Sequence, residues 1–533
     1  MADKVAPSGA RAASMVGLGI LLSRIMGLVR ETVFAHYFGS GVAADAVKAA
    51  YRIPNLLQNL FGEGALSASF IPVYAGLLAR GERREADRVA GAVASLLALA
   101  VAVLVLIGVL ATPAIIDLIA PGFTGERRVL TIRLVRIFFP GAGLLAISAW
   151  CLGVLNSHRQ FLLSYASTAV ANAVMIVTLL VGGPGTAVDH LAVIYAWGSV
   201  LASAVTFGVQ LPAVLRSAPD IRPRWDTASA EVRTVARNFG PAFVSRGVVQ
   251  LSSYVDQFLA SWLPIGSVAL LGYGQILATL PVSLFGVAVS AAELPSMSGA
   301  TGTKDEVAAY LRGRLDDGLG RIAFLVIPSA MGFLVLGDVM ASLLFRSGRF
   351  TADDARWVWA ILAGSAVGLL ASTLGRLYSS TYFALRDTRT PLRFAVVRVA
   401  LTTALGALCA FPVPHWLGVD PRWGMAGLTA SAGVAGWVEF TLLRRTLNRR
   451  IGPTGLRASL VAKLWASAAV AAGLAYAVAI GPRLATVVVP ARLWSIVVLG
   501  VYGAAYLALT AVVGVGDTGS LWRRARRVLG GGR

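Results

Sequence analysis

The sequence predicts an all-α polytopic membrane protein: about 14 transmembrane helices, in two parallel-repeat six-helix lobes plus a C-terminal helix pair. Three observations predict it. Of the 533 residues, 57% are hydrophobic and only 14% charged, with a mean hydropathy of +0.73. That is more apolar than a soluble globular domain. Apolar runs of about 20 residues, the length a bilayer demands, recur along the whole chain. The chain also repeats itself at an offset of 222–229 residues.

Taken in order, the expected spans are 13–38, 46–78, 87–112, 129–154, 160–182, 189–215, 235–262, 267–298, 318–338, 355–384, 391–411, 424–446, 460–481 and 492–514. The second and eighth are long and interrupted by glycine and proline. The first is not expected to be a cleavable signal peptide, because Arg24 and Arg30 break its apolar run. Between spans lie short basic loops: Arg80 to Arg88, Arg159, Arg216 to Arg237, Lys304 to Arg321, Arg386 to Arg393, and Arg444 to Lys463. With Lys4, Arg11 and the 523–533 tail they hold 30 basic residues, against eight on the opposite side, Arg127 and Arg128 among them. Positive loops stay inside, so both termini are expected in the cytoplasm. The net charge of +21 is thereby a topological signal, and no nucleic-acid partner is implied.

The repeat is legible in three pairs. SRIMGLVRETVFAHYFGSGVA, from residue 23, is echoed by SRGVVQLSSYVDQFLASWLPIGSVA, from 245. LFGEGALSASFIP (60–72) matches LFGVAVSAAELP (284–295), and PGFTGERRVLTIRLVRIFFPGAGLL (from 121) matches SGRFTADDARWVWAILAGSAVGLL (from 347). Six spans separate equivalent points, and an even number makes the repeat parallel. The expected domains are residues 1–216, a first lobe; 217–234, a basic cytoplasmic linker; 235–450, a second lobe; and 451–533, two extra helices with a basic tail. Glycine and alanine within the spans are read mainly as close-packing positions.

Residues 23–72 carry the chemistry. This membrane-like stretch holds Arg24, Arg30, Glu31, Asp45, Lys48, Arg52 and Glu63. A charge at the centre of a membrane helix costs about 2.5–3.5 kcal/mol on insertion scales, so such residues turn inward, pair or snorkel. Several cations in one wet cavity point to an anionic cargo or an ion path. Arg24 and Glu31, seven apart, share a helix face, and Arg30 is rotated away by about 120°. Cys151 and Cys409 read as small core residues, and the four histidines have no metal-ligand spacing. No Walker motif, nucleophile elbow or metal cluster appears, so an enzyme and a cofactor are not expected.

SR-x-x-G-x-x-RE, FGSGVAADA, PNLL, F-GEGALSASFIPV, APGF and the late YSSTYFALRDTRTP resemble the MurJ/MviN family of lipid II flippases, within the MOP superfamily. The resemblance runs through both lobes. It implies a bacterial inner-membrane protein that moves lipid-linked peptidoglycan precursor from the inner to the outer leaflet by alternating access. It also implies a lipid groove formed by the last two helices. Arg24, Arg30 and Glu31 match the family motif position by position, and Asp45 matches a family aspartate. Two family cations are absent: Gln58 follows PNLL, and Ile276 stands where an arginine is common. Arg52, Arg246 (the repeat-mate of Arg24) and Arg376 are the candidate replacements. The expected substrate-binding set is therefore Arg24, Arg30, Glu31, Asp45, Arg52, Arg246 and Arg376, with Glu31 and Asp45 tempering the positive charge. Guanidinium groups suit the cargo because they stay charged and grip phosphate oxygens in pairs. Alternative readings are an exporter of another polyprenyl-pyrophosphate glycan, and a non-transporting scaffold that recruits cell-wall synthesis proteins. The partners expected are the glycolipid and membrane lipids.

Overall fold

Only internal hydrogen bonding satisfies the backbone inside a bilayer, so apolar stretches of this length become helices. The computed structural model describes residues 9–252, 254–485 and 491–515, and among them there are helices and turns but no strand. The α-helices are α1 Gly9–Phe38, α2 Val42–Asn59, α3 Ser67–Ala79, α4 Arg83–Leu110, α5 Thr112–Ile119, α6 Gly125–Ser157, α7 Phe161–Gly182, α8 Val188–Ser217, α9 Ala230–Ser252 and α10 Val255–Ala260. They continue with α11 Ser267–Pro281, α12 Ala288–Ser298, α13 Lys304–Phe345, α14 Ala352–Ala384, α15 Arg389–Ala410, α16 Pro412–Leu417, α17 Gly424–Ile451, α18 Ala458–Ala485 and α19 Ala491–Val512. Among the described residues, ten helical segments are long and apolar enough to cross a membrane. The chain is thus a multi-pass membrane protein.

The two spans that the sequence marks as interrupted are built in pieces. α2 passes through a π-helical segment, Leu60–Leu66, into α3, and α11 passes through another, Val282–Val287, into α12. Both carry Leu-Phe-Gly, so the repeat seen in the sequence is also a repeat of backbone irregularity. Two further irregularities recur at the same offset. Ala111 breaks the helix between α4 and α5, and α13 has its one non-helical residue at Leu336. Arg159 and Arg386 are the two described non-glycine residues with positive φ, at 59° and 58°.

Packing divides the chain into two compact units, Met1–Ala269 and Leu270–Arg533. In the first, α6 packs against α2, α4 and α8, α1 packs against α7, and α9 lies on α3 and the π-helical segment beside it. Phe70, Tyr74, Trp150 and Cys151 are buried in its core. Trp150 donates its indole N–H to the Ala90 carbonyl at 3.1 Å.

In the second unit, α14 packs against α13 and α17, and α15 against α17. Small residues set the closeness, as the sequence predicts: a Cβ on Gly368 of α14 would overlap the backbone of Gly433 on α17. α18 and α19 pack on each other and on α13. Pro328 inside α13 cannot donate to the Phe324 carbonyl one turn earlier. Tyr506 of α19 supplies that bond through its hydroxyl at 2.7 Å, and the Tyr502 hydroxyl donates to the Pro328 carbonyl at 2.6 Å. The last helix therefore satisfies backbone groups that the proline disturbs.

Candidate functional site

The site is built on one face of α2. Asp45, Lys48 and Arg52 stand three and four residues apart, so they line one side of the helix a turn at a time. Each turn meets a different set of partners within the first unit.

The first turn is closed. Asp45 is fully buried and accepts from the backbone N–H groups of Gly266 at 2.7 Å and Ala269 at 2.8 Å. The Arg127 guanidinium completes the set at 2.7 Å and stacks over the Phe123 ring, 3.7 Å from its centroid. Asp45 thus caps the start of α11 and neutralises a buried arginine. It spends its charge there rather than on the arginines of α1.

The second turn is cationic. Glu31 of α1 accepts from Arg30 at 2.8 Å and also pairs with Lys48. Arg30 lies 5.6 Å from the Tyr51 ring centroid, and Lys48 lies 4.5 Å from that of Phe34. One carboxylate between two cations leaves a net charge of about +1 in an aromatic-walled recess. The Arg30 Nε is buried without a hydrogen-bond partner among the described residues. Its other nitrogens are oriented by protein: one donates to Glu31 and the other meets the Met175 sulfur at 3.9 Å.

At the third turn Arg52 is half-buried and interacts with Asp256 of α10, while its carbonyl accepts from the Tyr254 hydroxyl at 2.6 Å.

The other expected residues lie elsewhere. Arg24 is exposed on α1 while Glu31 is buried, although the two share a helix face. The difference is packing: Leu21, Leu22 and Ile25 around Arg24 are also about half exposed, so this part of α1 stands off its unit. Arg30 and Glu31, expected on different faces, meet through their long side chains. Arg376 is exposed on α14, near the pair Arg398–Glu439 at 3.1 Å. The side chains of Gln58 and Arg246 lie outside the described residues. Ile276 is half-buried on α11.

In the loops, Asp387 of the RDTRTP stretch starts α15. It accepts from the Thr390 N–H at 3.0 Å, the Thr390 hydroxyl at 2.7 Å and Arg450 at 2.7 Å. The Thr390 donors, with Arg450, hold its carboxyl well below the usual carboxylate range. Asp226 in the linker is likewise lowered, by the Ser229 and Ala228 N–H groups and by Arg88, 3.0 Å away.

A model of the family described as lipid II flippase MurJ matches residues 34–489. The chain belongs to this family. A relative from Vibrio cholerae named probable lipid II flippase MurJ is 30% identical over 440 residues, 80% of this chain and 81% of that protein. Among solved structures, one titled lipid II flippase MurJ in an inward closed conformation superposes with a TM-score of 0.76 at 22% identity. It covers 94% of this chain and 98% of its own. An inward-facing MATE multidrug transporter of the MOP superfamily aligns with a TM-score of 0.64 at 16% identity, over 82% of this chain and 98% of its own. These likenesses show the fold.

Lys48, Arg127 and Asp256 stand outside the expected binding set, although Lys48 is among the charges noted in residues 23–72. Lys48 had a signal, its helical spacing from Asp45 and Arg52. Arg127 resembled a loop cation because it adjoins Arg128, which does bind the exposed Asp117, at 2.8 Å.

Proposed function

We propose that the chain is a flippase that carries lipid II from the inner to the outer leaflet by alternating access. Membership of the MurJ family over residues 34–489 carries this reading, and the net-positive recess of Arg30, Glu31 and Lys48 supports it. A pyrophosphate brings several anionic oxygens, and Arg30 would grip them while Lys48 adds charge. Glu31 would orient both cations and keep the empty recess tolerable. Arg24 and Arg52, with Arg246 and Arg376 from the second lobe, complete the proposed path in place of the cations missing at Gln58 and Ile276. Asp45 would serve the path indirectly, by holding the start of α11.

The remaining features follow the same reading. Fourteen crossings with both termini cytoplasmic agree with the bias of basic loops. By the sequence repeat, the proposed lobes are 1–216 and 235–450, joined by the 217–234 linker, and α18 and α19 would hold the polyprenyl tail. Transport without catalysis would draw on an ion gradient or the membrane potential, at about 2.3 kcal/mol per charge per 100 mV. Gln58 and Ile276 favour one second reading, a different polyprenyl-pyrophosphate glycan as cargo. Complementation of a flippase-depleted bacterium separates the two. Restored growth supports lipid II; a folded, membrane-inserted protein that fails to restore it favours the other glycan or a scaffold for cell-wall synthesis proteins.

A further inference from the structure

We propose that a groove between α6 and α8 on the first unit holds the phosphate of an anionic phospholipid. The groove encloses about 490 Å³ and is lined by Arg133 and Arg136 together with Ile132, Ile137, Val193 and Trp197. The two arginines stand three residues apart on the exposed face of a helix whose length and composition suit a membrane span. Among the described residues neither makes an ion pair or a hydrogen bond. The surface around them is apolar and exposed: Val129, Trp197 and Leu201 are each more than half accessible. That surface suits acyl chains, and two guanidiniums cannot sit in acyl chains unpaired without large cost.

Geometry supplies the partner. α6 and α8 are separated by one crossing, α7, so they start at the same membrane face. Counted from Gly125 at 1.5 Å per residue, Arg133 and Arg136 lie about 12 and 17 Å along α6. Helical side chains point back toward the helix N-terminus, so both arginines reach toward the layer of lipid phosphates. Trp197 provides an aromatic surface of the kind that sits at headgroup level. A zwitterionic headgroup would bring a third cation to two arginines, whereas that of phosphatidylglycerol brings only the phosphate charge. The occupant is therefore an anionic phospholipid. Its leaflet, though not its chemistry, rests on the orientation proposed above.

The test uses the full chain in phosphatidylcholine nanodiscs that contain a small fraction of brominated phosphatidylglycerol or brominated phosphatidylcholine. Subtracting the signal of Trp197→Phe isolates quenching at the groove. The proposal expects the Trp197 signal to be quenched several-fold more by the anionic lipid. The preference should disappear in Arg133→Gln/Arg136→Gln, which removes two surface cations' worth of attraction. The double lysine variant should keep part of it. Equal quenching by both lipids overturns the proposal, and so does an unchanged preference in the double glutamine variant. If the glutamine variant fails to fold, the comparison of the two lipids on the wild-type chain still decides.

Discussion

Lys48→Met removes one cation from the recess and leaves its geometry. Glu31 keeps its 2.8 Å bond to Arg30, and a methionine fills the space over the Phe34 ring where the ammonium sat at 4.5 Å. Folding should survive, with the melting temperature in detergent within a few degrees of wild type. Binding should not. The net charge of the recess falls from about +1 to about zero, and one Glu31 oxygen is released to face the incoming phosphate. A unit charge about 5 Å from a phosphate oxygen, at an effective dielectric near 20, contributes roughly 3 kcal/mol. The expected loss is therefore about a hundred-fold in affinity. The assay is lipid II flipping in proteoliposomes as a function of lipid II content, with Lys48→Arg as the charge-preserving control. KM should rise steeply for methionine and little for arginine. A folded Lys48→Met protein with KM unchanged would refute the electrostatic reasoning.

Three further outcomes are expected. Asp45→Ala should destabilise the protein by about 3–5 kcal/mol, because it strands the buried Arg127 and two backbone N–H groups; thermal unfolding in detergent checks this. Tyr506→Phe should cost about 1 kcal/mol by the same measurement, since the Phe324 carbonyl loses its donor beside Pro328. Asp387→Asn should lower the melting temperature at neutral pH. A carboxyl with a depressed folded pKa stabilises above its unfolded value, about 3.9, and loses that contribution as pH falls through the folded value. The gap between wild type and Asp387→Asn should thus stay constant from pH 8 to about 5 and close below about pH 4; a gap that grows on acidification contradicts it.

The fold was legible because its determinants are local. Apolar length gives the helices. Leu-Phe-Gly and nearby prolines mark where the second and eighth spans break, and the same residues carry the repeat. The site was legible only in part. Arg30, Glu31 and Arg52 stand out as charges in an apolar stretch, whereas Lys48, noted there too, stands outside the expected binding set. The fate of Asp45 was not readable, since its partners are two backbone amides and an arginine from distant segments. Helical wheels gave the angular positions on α1 but not the reach or packing of its side chains. They placed Arg24 beside Glu31 and Arg30 apart, yet side-chain length lets Arg30 reach its neighbour, and packing leaves Arg24 exposed.

The central claim is that Arg30, held by Glu31 beside Lys48, grips the cargo's pyrophosphate. Lipid II flipping by purified Arg30→Ala and Arg30→Lys proteins in proteoliposomes tests it most directly. Alanine should abolish flipping in a protein that still folds, and lysine should impair it severely, because an ammonium lacks the guanidinium's two-pronged grip. Normal flipping by folded Arg30→Ala would contradict the account.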